Sequence, residues 1–207
     1  MYMFGRSRRV RTGRYGEAAV QAVDVASRAS ELTGLTIFTW STLLSDDTGT
    51  IFWTTRAEHL DELVTADETL AASVDFMSLV NASDELYVGE ISDVVLEVVA
   101  GAPTAPPAPY VMIVRGVAAH GAVAEAVATG IELAETATRL TGNLTSFVMP
   151  VVGPFGGVGW TTQLPDLPSL EASQATLRDS DEWLKLADRA GHAYQPGVTS
   201  SLMRRLN

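Results

Sequence analysis

Cysteine is absent from the 207 residues. That excludes disulfides, thiolate metal sites, iron–sulfur clusters and cysteine nucleophiles, and it leaves the redox compartment open. Histidine is scarce: His59, His120 and His192 stand far apart. A three-histidine zinc site would need all of them to converge, so no metal centre is expected. Lys185 is the only lysine. No apolar run reaches the ~18–20 residues of a membrane span, so no membrane association is expected. The residues Met1-Tyr-Met-Phe-Gly5 precede the first arginines. This reverses the order of a secretory signal and points to the cytoplasm. A formal net charge of −11 disfavours nucleic acid as a partner, because phosphate contacts need positive charge.

Apolar residues are plentiful, at 46% against 19% charged, which fits a folded globular chain rather than a disordered one. The basic residues are unevenly placed. Arg6, Arg8, Arg9, Arg11 and Arg14 crowd the first fourteen positions. Arginine's planar fork suits carboxylate or phosphate. These arginines therefore either pair with acidic residues elsewhere in the chain or form an anion site.

The chain repeats itself. Ile51-Phe-Trp-Thr-Thr55 aligns with Val158-Gly-Trp-Thr-Thr162 at an offset of 107, and Leu60, Leu63, Thr69, Leu70, Ser73 and Leu79 then fall on identical residues. Upstream the offset is 108: Leu32-Thr-Gly34 lies on Leu140-Thr-Gly142, and Glu17-Ala18 on Glu125-Ala126. One inserted residue, Asn143, then brings Leu35-Thr36 onto Leu144-Thr145 and Phe38 onto Phe147. Between the copies runs Ala100-Gly-Ala-Pro-Thr-Ala-Pro-Pro-Ala-Pro109. Its prolines favour extended polyproline II, about 30 Å long at ~3.1 Å per residue. The expected organisation is a first repeat over 1–99, a linker over 100–109 and a second repeat over 110–207.

Within a repeat the order is strand, helix, strand, strand, helix, strand. Tyr2 to Val10 and Tyr110 to Val117 read as first strands. Ala19, Ala22, Ala26 and Ala29 give the helix from Tyr15 to Leu32 a small apolar stripe, and Gly34 suits its end. Copy two repeats this over Val127 to Leu140, with Gly142. A hairpin follows, Leu35 to Thr42 with Thr50 to Thr55, turning at Ser45-Asp-Asp-Thr-Gly49. Its counterpart is Leu144 to Val152 with Gly157 to Thr162, turning at Gly153-Pro-Phe-Gly156. That glycine-rich turn lacks the Lys and Ser/Thr of a phosphate loop. Pro150 predicts that its strand lies at a sheet edge. Thr65-x-x-Glu68 reads as a capping box, so the second helical region should break before Thr65. Leu70, Val74 and Met77 should give its apolar face, as Leu177, Leu184, Leu186 and Trp183 do in copy two. Ile91 to Val99 and Val198 to Leu206 read as last strands.

This is the α+β, ferredoxin-like βαββαβ arrangement, twice. The strands carry large apolar residues at odd and even positions alike: Leu35, Ile37, Phe38 and Trp40, then Ile51, Phe52 and Trp53. Both sheet faces should therefore be buried, which two repeats achieve by packing sheet to sheet.

The run Phe52-Trp-Thr-Thr-Arg-Ala-Glu-His-Leu60, with Gly159-Trp-Thr-Thr-Gln-Leu-Pro-Asp-Leu167 in copy two, resembles the dimeric α/β-barrel superfamily, notably its antibiotic-biosynthesis monooxygenase-like branch. Members pair two chains across their sheets. The resemblance implies that a tandem chain closes the barrel alone, as a monomer or within a homo-oligomer. It implies activities ranging from cofactor-independent oxygenation of polyphenols through haem degradation to polyketide cyclisation. The haem-degrading members use an Asn on the first strand, a Trp on the third and a His on the second helix. Trp53 and Trp160 match the Trp. Neither first strand holds an Asn and neither second helix holds a His in its body, so no haem or other cofactor is expected.

Two classes of function follow. In one, Trp53, Trp160 or Trp40 walls an apolar pocket for an aromatic or polyketide-like ligand, with Arg6, Arg8 or Arg115 holding an enolate or carboxylate and His59 nearby. Against this stands the simpler reading that the tryptophans fill the core. In the other, the duplicated barrel is a non-catalytic scaffold for a protein partner.

Overall fold

The computed structural model describes residues 1–45 and 48–207. Asp46 and Asp47, the centre of the acidic turn expected after the second strand, lie outside the described residues. Eight strands form one closed antiparallel barrel, in the order β1-β3-β2-β8-β5-β7-β6-β4. The chain divides into two compact units: Met1–Leu96 with Arg204–Asn207, and Glu97–Met203.

The first unit contains β1 (Tyr2–Val10), α1 (Tyr15–Thr33), β2 (Phe38–Leu44), β3 (Thr50–Ala57), α2 (Leu60–Ala72), α3 (Val74–Ala82) and most of β4 (Tyr87–Ala100). The alanine stripe forms at the predicted spacing, with Ala18 rather than the half-buried Ala19 as its first buried member. Ala18, Ala22, Ala26 and Ala29 are all buried, and small side chains let the helix lie close on the sheet. Gly34 ends α1 in the left-handed region, at φ 74°, and its N–H returns to the Ser30 carbonyl. The core gathers Val10, Ala18, Ala22, Ala26, Ile51, Trp53, Leu86 and Tyr87. The last residues of the chain join this unit. Leu206 N–H donates to the Thr39 carbonyl at 2.8 Å, while the Asn207 side chain bonds the Thr39 N–H and the Ile37 carbonyl.

The second unit contains β5 (Tyr110–Val117), α4 (Val123–Thr141), β6 (Thr145–Val152), β7 (Gly157–Leu164), α5 (Leu167–Arg178), α6 (Asp181–Ala190) and most of β8 (Thr199–Arg205). Its core holds Ala126, Ala134, Phe147, Val158, Trp160, Ala190, Ala193 and Tyr194. Gly130 lets Phe147 lie flat on α4, since a Cβ there would sit 2.4 Å from the ring.

Four local expectations are corrected. First, α2 runs unbroken through Thr65, and the break falls at Ser73, whose hydroxyl accepts the Phe76 N–H. In mid-helix Thr65 instead offers its carbonyl to the Thr69 hydroxyl. Second, of the residues expected to form these apolar faces Leu186 alone is buried, with Phe76 buried beside them, whereas Val74, Met77 and Leu184 are exposed. Third, β6 is no edge strand: it stands between β7 and β4 in a closed order. Its register with β7 ends at Val148↔Gly159, so Pro150 lies beyond the β7 pairs that would need its missing N–H. Fourth, Asn143 is no insertion. Trp53 faces Thr39 and Trp160 faces Phe147, so Phe147 corresponds to Thr39, not Phe38. The same offset recurs where Ser30 Oγ receives the Ile37 N–H and Thr138 Oγ1 the Thr145 N–H.

Candidate functional site

Alternation along β1 puts Phe4, Arg6 and Arg8 on one face of the sheet. Pairing sets Phe4 opposite Thr55 and Arg6 opposite Trp53 on β3. Gln21, Val25, Ala26 and Ala29 of α1 line one side of the space above this face. Leu70 of α2, with Phe76, Met77 and Val80 of α3, lines the other, and Tyr87 and Ile91 of β4 complete it. The result is a largely apolar cavity of about 240 Å³ within the first unit.

Trp53 and Tyr87 are clamped to α1. The Trp53 indole N–H donates to the Ala22 carbonyl at 2.9 Å, and the Tyr87 hydroxyl lies 2.9 Å from Gln21 Oε1 and 3.4 Å from the Ala18 carbonyl. The two rings meet at 6.0 Å, tilted by 59°. Burial pushes the Tyr87 phenol up to about 12, with Arg8 opposing the shift, so it is neutral at physiological pH.

The two arginines differ in setting. Arg6 forks onto Asp93 with contacts of 2.8 and 2.7 Å, and this hydrogen-bonded carboxylate raises its pKa further. Both partners are about two-fifths exposed, so the pair contributes only about 0–1 kcal/mol. Arg8 is 12% exposed. Its Nη2 donates to Asp84 at 2.7 Å, and its guanidinium carbon lies 4.5 Å from the Tyr87 ring centre. Its Nε is buried with no hydrogen-bond partner among the described residues. An unsatisfied buried donor costs about 1–3 kcal/mol, which an acceptor in the cavity would recover. Among the described residues Ser41 Oγ is also buried and unpartnered, but Ser41 does not line the cavity.

The remaining sequence candidates lie elsewhere. Trp40 pairs with Phe52, so it occupies the opposite face of the sheet from Trp53, with its N–H on Thr54 Oγ1 at 2.8 Å. Trp160 repeats the Trp53 clamp on α4, donating to the Gly130 carbonyl at 2.9 Å. It packs between Phe147 and Tyr194, whose hydroxyl bonds the Ala126 carbonyl. Arg115 faces Gly159 on β7, off the face that carries Val114 and Trp160, and is exposed. His59 caps α2 as an exposed residue, its N–H bonded to Glu62.

Tyr87, Gln21 and Phe76 are not singled out by sequence, and Met77 is read there only as part of a helix face. A signal for Tyr87 existed: Tyr87 and Tyr194 are separated by 107 residues, like Trp53 and Trp160. The lining contains no histidine, and His59, His120 and His192 are all exposed, so this cavity offers no axial imidazole for haem. Among the described residues no three His, Asp or Glu side chains cluster as metal ligands, and no helix is long and apolar enough to cross a membrane.

No known sequence family and no curated protein matches the chain. Solved structures do. A candidate monooxygenase from Fusobacterium nucleatum matches at TM-score 0.74 and 8% identity, over 100% of this chain and 92% of that one. An anthrone oxidase-like protein matches at 0.70 and 12%, over 100% and 91%. A candidate chlorite dismutase matches at 0.57 and 11%, over 100% and 94%. The chain thus has the tandem dimeric α/β-barrel fold that these proteins share.

Proposed function

We propose that the cavity of the first unit binds a small, flat aromatic anion, a phenolate or enolate of polyphenol or polyketide type, and presents it for oxygenation by dioxygen without a cofactor. The observation that carries this reading is the buried, unpartnered Nε–H of Arg8 in the lining of an apolar cavity. Phe4, Trp53, Phe76 and Tyr87 offer ring faces, while Arg8 favours negative charge. At about 240 Å³ the cavity is smaller than the ~300–1,000 Å³ of drug-sized sites, which limits the ligand to a few rings.

Among the described residues the lining holds no carboxylate, imidazole or amine, and its one phenol is neutral. It therefore supplies charge stabilisation and no general base. The substrate must be acidic enough to ionise by itself beside Arg8, as an anthrone or a 1,3-dicarbonyl is. Neighbours described as a monooxygenase and as anthrone oxidase-like support the reaction class. A scaffold role is the second reading. It is favoured by Phe155, 95% exposed on the turn after β6 beside exposed Val151 and Val152.

Calorimetric titration with a hydroxylated anthrone, against an uncharged anthracene of the same width, tests the first reading. The anthrone should bind more tightly. Arg8→Met should weaken it by about 10–100-fold, the worth of one charged hydrogen bond. Equal affinity for the two compounds, or none for either, contradicts the proposal.

A further inference from the structure

The second helical layers of the two units are fastened differently. In the second unit three polar contacts tie it down. Arg139 on α4 pairs with Glu182 on α6, Arg189 on α6 pairs with Glu132 on α4, and Asn143 after α4 donates to Ser173 on α5 at 2.8 Å. Leu186, Ala190 and Ser173 are buried beneath it.

The repeat offsets give the corresponding positions in the first unit: Glu31 and Asp75, Asp24 and Ala82, Leu35 and Ala66. Two carboxylates cannot form an ion pair, and neither alanine offers a polar group. All three ties are thus removed by residue type. The apolar anchoring is thin as well. No residue of α2 is buried, and Phe76 alone is buried in α3. Val64 and Val74 are 58% and 78% exposed. Yet these helices carry Leu70, Phe76, Met77 and Val80, one wall of the cavity. The segment starts from extended backbone at His59 and is broken at Ser73.

We propose that α2 and α3, residues 60–82, form a hinged cover over the cavity of the first unit. Phe76 is its latch, and its opening admits the ligand, whereas α5 and α6 of the second unit are a fixed layer. Local opening is drawn from segments with few buried apolar contacts, as here. The inference rests on the cavity and on the missing ties, not on which ligand binds.

Hydrogen exchange of the unliganded protein, read by mass spectrometry, tests it with an internal control. Helical amides of 60–82 should exchange at least tenfold faster than those of 167–190. Glu31→Arg, which places a guanidinium opposite Asp75 as Arg139 stands opposite Glu182, should slow exchange across 60–82. It should leave 167–190 unchanged. Equal protection of the two segments overturns the cover. So does a Glu31→Arg protein whose 60–82 segment exchanges as fast as before.

Discussion

The two units hold the same bracket and surround it differently. In each, a tryptophan from the third strand and a tyrosine opening the region after the second helices both hydrogen-bond to carbonyls of the first helix. These are Trp53 and Tyr87 on Ala22 and Ala18, then Trp160 and Tyr194 on Gly130 and Ala126. The bracket fastens helix to sheet and so belongs to the fold. What differs is the neighbouring strand. Register equates Arg6 with Val114 and Arg8 with Gly116, so the guanidinium groups exist in one unit only. Likewise Thr39 and Ala22 stand where Phe147 and Gly130 interlock. Duplicated positions that agree report on folding. Those that disagree are where the two copies are free to differ in task.

The largest effect that can break this comparison lies in the packing of the second unit. Phe147 is fully buried, so Phe147→Ala should cost about 3–5 kcal/mol in denaturant melts. Gly130→Ala should cost about 1–3 kcal/mol through the clash with that ring. Neither should alter anthrone affinity at a temperature where the protein stays folded. Loss of binding with stability intact would place the site in the wrong unit.

A smaller effect concerns the tyrosines. Burial raises the pKa of both, Tyr87 to about 12 and Tyr194 also upward. In the unfolded chain a tyrosine releases its proton near ~10. The stabilisation is thus fully present below pH ~10 and is lost as pH rises toward the folded value. Between those limits each contributes a slope of about 1.4 kcal/mol per pH unit. Urea melts from pH 9 to 11.5 should show stability falling with pH. Tyr87→Phe and Tyr194→Phe should each flatten part of that slope. A slope unchanged in both variants would mean that the phenols are not held neutral.

Much of the fold was legible because its signals are periodic. The alanine stripe of α1 and β1 over Tyr2–Val10 follow directly from spacing. The break at Ser73 was obscured because Thr65-x-x-Glu68 imitates a cap, although Ser73 and Ser180 align in the repeat and both cap a helix. The cavity was half legible. Arg6, Arg8 and Trp53 share a face by strand alternation. Arg115 is one residue out of phase with Val114 and so falls on the other face. The cavity role of Phe76 and Met77 was not legible because it depends on how a broken helix folds back over the sheet, which no local pattern encodes.

The central claim is that the first unit alone holds the site, and tryptophan fluorescence reads it most directly. Anthrone titrations of Trp53→Phe and Trp160→Phe proteins separate the two units within one chain. The account predicts that quenching survives in the Trp160→Phe protein with its midpoint unchanged and is lost in the Trp53→Phe protein. Quenching that survives Trp53→Phe and disappears with Trp160→Phe would contradict it.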